Sequence, residues 1–212
     1  MKKRTIYIMG LVTLFVFPIP AFAALYFFSD FSISIFFDLD NIHFGNISLG
    51  ILIGIIYAGL AAFIMLAPIF KTIPLRVDEL VSSMNLTYLD ALFLSVCAAV
   101  GEELLFRVGM QFYLGPIITS VVFVAIHGYL NPFDWRTSLY GLVVLPLSFI
   151  LAYTYEYFGL WPAVAIHFAY DAALFIYFIY SDKKEKLLIL EEIESDKTEL
   201  DEGFDDDRNV LN

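Results

Sequence analysis

Apolar residues run almost unbroken along this chain in six stretches, set apart by short interruptions that carry Pro, Gly or charge. The first covers Thr5 to Phe28 and the second about Ile47 to Phe70. The third runs from about Tyr88 to Gln111, and the fourth from a turn at Tyr113-Leu114-Gly115-Pro116 to about His127. The fifth spans about Thr137 to Phe158, and Trp161-Pro162 opens a sixth that ends near Tyr180. All but the short fourth come close to the roughly 20 residues that a helix needs to cross the hydrocarbon core. Strands of an outer-membrane barrel would alternate apolar and polar positions, and these stretches do not. The pattern predicts an all-α polytopic transmembrane bundle of about six spans.

The polar connections orient the bundle. The loop from Phe31 to Asn46 holds Asp38 and Asp40 and no Lys or Arg, whereas Lys2-Lys3-Arg4, Lys71, Arg76, Arg136, Lys183, Lys184 and Lys186 all fall on the other side. By the positive-inside rule both termini are expected in the cytoplasm of a multi-pass cell-membrane protein. The first stretch resembles a signal peptide, with Ala21-Phe22-Ala23 as an A-x-A site, but apolar residues continue past it and an uncleaved first span is expected. The 31–37 run is expected at the membrane interface, and Val77 to Thr87 as an interfacial connector.

Composition then divides the chain. Hydrophobic residues make up 60% of the 212, too many for a soluble domain of this size. Of the formal net charge of −11, the segment after Tyr180 carries −7, with 12 acidic and five basic residues. The expected organisation is a helical membrane domain over 1–180, with its chemistry-bearing core at about 88–180, and an acidic cytoplasmic tail over 181–212, too polar to pack and expected disordered. No basic patch exists beyond the N-terminal cluster, which excludes nucleic acid as a partner. The single cysteine, Cys97, rules out an internal disulfide and reads as a small buried hydrophobe.

Against this background a few ionisable residues stand out, because charge within lipid is costly and marks function by default. Glu102-Glu103-x-x-x-Arg107 lies in the third span, Phe123-x-x-x-His127 in the fourth, and His167-x-x-x-Asp171 in the sixth. Glu102 precedes the Leu114 turn by 12 residues and His127 follows it by 13, so both lie about 18 Å below the tip. His167 and Asp171 lie roughly 9 to 15 Å from the same face, so one pocket is geometrically allowed. Arg107 and Glu103, four apart, share a face and can pair, while Glu102 is turned about 100° away. Phe123 sets its ring one turn from His127 as an apolar wall.

An acid in a poorly solvated pocket suits a general base, and histidines opposite can stabilise a tetrahedral oxyanion. Glu102, water, His127 and His167 thus make a plausible peptide-hydrolysis site. The alternative is a non-catalytic scaffold, immunity or sensor-regulating protein in which the same polar network holds helices together. A transporter fits less well, since no inverted repeat is visible. Glu156 is expected at the outer interface, Asp90 at the inner one, and His43 in solvent.

Glu102-Glu103-x-x-x-Arg107, Phe123-x-x-x-His127 and His167-x-x-x-Asp171, in that order on successive apolar segments, resemble the CPBP family of CAAX-prenyl proteases and bacteriocin-processing enzymes, also called Abi intramembrane proteases. The likeness covers roughly Tyr88 to Tyr180. It implies an intramembrane endopeptidase acting on a membrane-associated protein or peptide, prenylated or a leader peptide. It also implies that Glu102 activates water with Glu103 and Arg107 in support, while His127, His167 and Asp171 complete the site. The family often carries Asn where this chain has Asp171, and an ionised acid cannot donate an amide hydrogen bond there. The helical zinc signature H-E-x-x-H is absent, so a metal-free glutamate mechanism is expected. The alternative is a divalent ion such as zinc held by Glu102, His127 and His167, a His2Glu set.

Overall fold

A computed structural model describes residues 3–29, 32–66, 84–130 and 135–209. These residues form helices throughout, with no strand among them. The expected connector over 77–83, the basic residues Lys71 and Arg76, and the Asn131-Pro132 turn lie outside the described residues.

The first span breaks into α1 (Lys3–Phe15) and α2 (Pro18–Phe28). Pro18 and Pro20 lack the N–H that would continue the ladder, and Pro18 is pre-set for a first helical turn. A short helix α3 (Ile33–Phe37) and a 3-10 turn (Leu39–Asn41) lead to α4 (Phe44–Met65). Next comes α5 (Tyr88–Glu103), which opens on a reciprocal cap. Asp90 N–H donates to Thr87 Oγ1 at 3.3 Å, and Thr87 N–H donates to the Asp90 carboxylate at 2.8 Å. A π-helical segment (Leu104–Met110) and α6 (Gln111–Ile126) follow. The chain closes with α7 (Trp135–Phe158) and α8 (Leu160–Asn209).

Five helices among the described residues are long and apolar enough to cross a membrane, the third being the continuous stretch Tyr88–Ile126. That stretch is a hairpin. Gly115 sits at φ 73°, ψ 171°, outside helical space, and Pro116 follows it. In one straight helix, Glu102 and His127 would stand about 37 Å apart. Here their side chains come within 3.5 Å. The fold-back makes the fourth pass short, as expected, and brings the number of apolar passes to six.

In lipid, helices gain little from burying apolar surface against one another, so close backbone packing carries the association. The extensive contact of α8 on α4 shows how. Gly50, Gly54, Ala58 and Ala61 form a small-residue face on α4. A Cβ at Gly50 would lie 2.7 Å from the Pro162 carbonyl oxygen of α8, so only glycine permits that approach. Phe15, Phe27, Phe28, Phe63 and Leu89 point outward, as side chains bathed in acyl chains should.

Two elements depart from expectation. The carboxylate of Asp90, expected at the inner interface, is buried against protein rather than solvated. It takes Lys3 Nζ at 3.1 Å and the Tyr7 hydroxyl as well as its own cap, which pins α1 to α5. The acidic segment after Tyr180 continues α8 as helix where disorder is expected. Its described side chains are almost all exposed, so it is solvated. No Gly or Pro interrupts the chain between Pro162 and Gly203, and Lys186 pairs with Asp182 one turn away at 2.6 Å.

The run at 32–37, expected at the membrane interface, packs against two other elements. Phe36 is buried against Phe22 of α2. The Trp161 indole donates to the Phe37 carbonyl at 3.0 Å. Asp38 accepts the Leu160 N–H at 2.7 Å and so caps α8 from a distant part of the chain. Replacing Asp38 with Ala is expected to cost about 1 kcal/mol, with Asp38→Asn milder, as read by thermal unfolding in detergent.

Candidate active site

The three motifs meet where α5, α6 and α8 come together, with α7 behind them. Glu102 and Glu103 end α5 and, being consecutive, aim about 100° apart. Glu103 points inward and is fully buried, as is Arg107 one turn on. The Arg107 Nε–H donates to Glu103 Oε2 at 2.9 Å, and Nη2–H donates to Ser148 Oγ on α7 at 3.2 Å. An ionised pair is the only form in which an arginine can be held so deep, since the guanidinium never loses its charge. The π-helical turn that starts at Leu104 is a feature that often accompanies functional sites.

Glu103 uses its second oxygen on α8. The Nδ1 of His167 lies 2.9 Å from Glu103 Oε1, and since the carboxylate can only accept, Nδ1 carries the proton. His127 is oriented in the same way by a different group, with Nδ1 2.6 Å from the Phe123 carbonyl oxygen. Both rings therefore present Nε2 to the interior. There His127 Nε2 lies 3.5 Å and His167 Nε2 4.0 Å from Glu102 Oε2. Asp171 Oδ2 stands 3.5 Å from His167 Nε2.

Phe123 is the hinge of this arrangement. Its ring packs 4.4 Å from the His127 ring and edge-on 6.1 Å from that of His167, with the Arg107 guanidinium 5.4 Å from its centroid. It shuts water away from the Glu103–Arg107 pair, the apolar wall that its spacing predicts.

Glu102, His127, His167 and Asp171 open onto a cavity of about 320 Å³. Unlike Glu103, Glu102, His127 and Asp171 retain solvent access, with side-chain exposures of 13%, 31% and 22%, whereas His167 is buried. The remaining lining is largely apolar and comes from α1 (Met9, Gly10, Thr13), α7 (Val144, Leu147, Leu151) and α8 (Leu174, Phe175, Phe178). Tyr129 also faces it, and burial raises its phenol well above the usual range, so it stands there as a neutral hydroxyl. A charged, wet pole thus faces an apolar chamber within a membrane bundle.

All seven motif residues come together. The other ionisable residues stay apart: His43 and Glu156 are exposed, and Cys97 is buried. Sequence reasoning missed Ser148, Gln111 and the tyrosines Tyr129, Tyr140 and Tyr170. Ser148 had a signal, a lone hydroxyl in the apolar middle of a helix that carries no motif. The inward Nε2 atoms with orienting partners on Nδ1 match how metal-ligating histidines are held. Yet among the described residues no three His, Cys, Asp or Glu side chains gather closely enough to hold a metal ion.

These features define a multi-pass helical membrane protein with a buried acid–histidine centre. Residues 84–173 match the family model described as Type II CAAX prenyl endopeptidase Rce1-like. Over that stretch the chain is similar to this CAAX-protease-like family, in agreement with the resemblance carried by the three motifs. Neither a curated protein nor a solved structure matches the chain.

The two glutamates should separate in a stability measurement. Glu103→Gln leaves a buried guanidinium without its counter-charge and is expected to cost roughly 3 to 5 kcal/mol. Glu102→Gln, facing the cavity, is expected to unfold within about 0.5 kcal/mol of the wild type. Denaturant or thermal melts of both variants in the same detergent check this.

Proposed function

We propose that the protein is an intramembrane endopeptidase in which Glu102 activates a water molecule for attack on a peptide bond of a membrane-associated substrate. The observation that carries this reading is the convergence of Glu102 Oε2 with two histidine Nε2 atoms at one pole of an otherwise apolar cavity. Glu102 takes a proton from water, and the hydroxide adds to the scissile carbonyl. The developing oxyanion accepts hydrogen bonds from the Nε2–H groups of His127 and His167. With each Nδ1–H already donating outward, an Nε2–H requires the imidazolium form; Asp171 and, until it takes the proton from water, Glu102 balance that charge, and the oxyanion does so afterwards. Glu102 then passes its proton to the leaving amine, and the tetrahedral intermediate collapses.

Glu103, Arg107 and Phe123 support this chemistry without touching the reacting atoms. Asp171 stands beside His167 as an acceptor, which suits an acid that holds an imidazolium in place of an amide that donates to substrate. The proposed steps run through Glu102 and water; in the alternative, Glu102, His127 and His167 would hold a divalent ion that would activate the water instead. The family description points to prenylated CAAX substrates, and a leader peptide would suit the same site. The basic cluster near the N-terminus and Lys183, Lys184 and Lys186 support an orientation with both termini in the cytoplasm.

The test is cleavage of a quenched-fluorescent farnesylated CAAX peptide, and of its unprenylated twin, by the purified protein in liposomes. Loss of the general base in Glu102→Gln is expected to lower the rate by about 10²- to 10⁴-fold. Cleavage by Glu102→Gln at the wild-type rate would sink the proposal. Treatment with 1,10-phenanthroline is expected to leave the rate unchanged; inhibition reversed by zinc would move the chemistry to a metal held by Glu102, His127 and His167.

A further inference from the structure

Helix α7 contributes no acid or histidine to the cavity, yet one of its turns gathers three buried side-chain hydrogen bonds. Arg107 Nη2–H donates to Ser148 Oγ at 3.2 Å, Ser120 Oγ–H donates to the Ser148 carbonyl at 3.1 Å, and Gln111 Nε2–H donates to the Ala152 carbonyl at 2.9 Å. Each donor comes from the hairpin that carries Glu102, Glu103 and His127. Ser120 stands two turns before His127 on nearly the same face of α6, and Arg107 pairs with Glu103. The turn Ser148–Ala152 therefore grips both arms of the hairpin.

We propose that Ser148 is a positioning residue for His167, acting through Arg107 and Glu103. The chain of contacts runs from Ser148 Oγ to the guanidinium at 3.2 Å, to Glu103 at 2.9 Å, and to His167 Nδ1–H at 2.9 Å. Ser148, Arg107 and Glu103 are all fully buried, so no solvent replaces a lost partner. A guanidinium bound to Glu103 through Nε alone can pivot about that contact. With Nη2 held on α7 it has a fixed plane, which fixes the carboxylate and the direction in which Oε1 meets His167. Ser148 also borders the cavity, but its oxygen is spent on Arg107 and not on substrate. The role assigned to His167 rests on the proposed function, whereas its alignment by Ser148 does not.

Two measurements test this on the full chain in lipid nanodiscs. In ¹⁵N-histidine-labelled protein, the Nδ1–H proton of His167 bonded to Glu103 is identified by its loss in His167→Gln. Ser148→Ala is expected to move this resonance upfield or broaden it, and Ser148→Thr, which keeps the hydroxyl, to restore it. Ser148→Cys keeps the volume but accepts poorly, so it should behave like Ser148→Ala and separate hydrogen bonding from packing. An unchanged resonance in both Ser148→Ala and Ser148→Cys would overturn the proposal. With the farnesylated peptide, Ser148→Ala should lower kcat by roughly tenfold to hundredfold with KM within about twofold, since misalignment costs rate more than binding. An unchanged kcat would also overturn it. A wild-type protein that cleaves neither peptide would count against the protease reading, and the resonance comparison would still decide the role of Ser148.

Discussion

The fully buried ion pair between Glu103 and Arg107 is the constraint on which the rest of the structure depends. An arginine inside an apolar bundle stays charged, so every neighbour must either compensate that charge or exclude water from it. Glu103 compensates it, Ser148 binds its far edge, and Phe123 seals it. In satisfying Arg107, Glu103 also acquires a fixed orientation, and its remaining oxygen holds His167. A stabilising problem and a positioning device are solved by the same four groups.

The consecutive placement of the two glutamates then divides labour by angle. One residue of helix turns a side chain about 100°, which is enough to put Glu103 in the dry interior and Glu102 in the cavity. The two acids have the same chemistry and opposite surroundings. Glu103 is surrounded by donors and closed off; Glu102 meets two histidines and the cavity. The histidines follow the same economy, each tying Nδ1 to an outward oxygen so that Nε2 faces the interior.

Close helix packing makes this geometry available within a small bundle. The small-residue face of α4 lets α8 approach, and Asp38 caps the first turn of α8, so the level of His167 and Asp171 is set from outside the site. The Gly115–Pro116 reversal sets His127 against Glu102. On the other side, α1 is pinned to α5 through Asp90 and closes one wall of the cavity.

The helical class, the apolar passes and the identity of the ionisable centre were legible in the residues alone, because lipid forbids unpaired charge and irregular backbone. The pairing of Glu103 with Arg107 was legible too, since a spacing of four is a local property of a helix. What the spacing of residues cannot encode is which helices touch. The bond from Arg107 to Ser148, the anchoring of His167 by Glu103, and the burial of Asp90 all join residues far apart in the chain, and each was decided by tertiary packing. The helical continuation past Tyr180 was missed for the opposite reason: acidic composition suggested disorder, whereas a run without Gly or Pro and the one-turn pair of Lys186 with Asp182 carry the helix on. Sequence thus determined which groups must be compensated in this membrane protein, and the packing of the bundle decided which partners compensate them, because only a folded bundle can bring an isolated serine to a buried arginine.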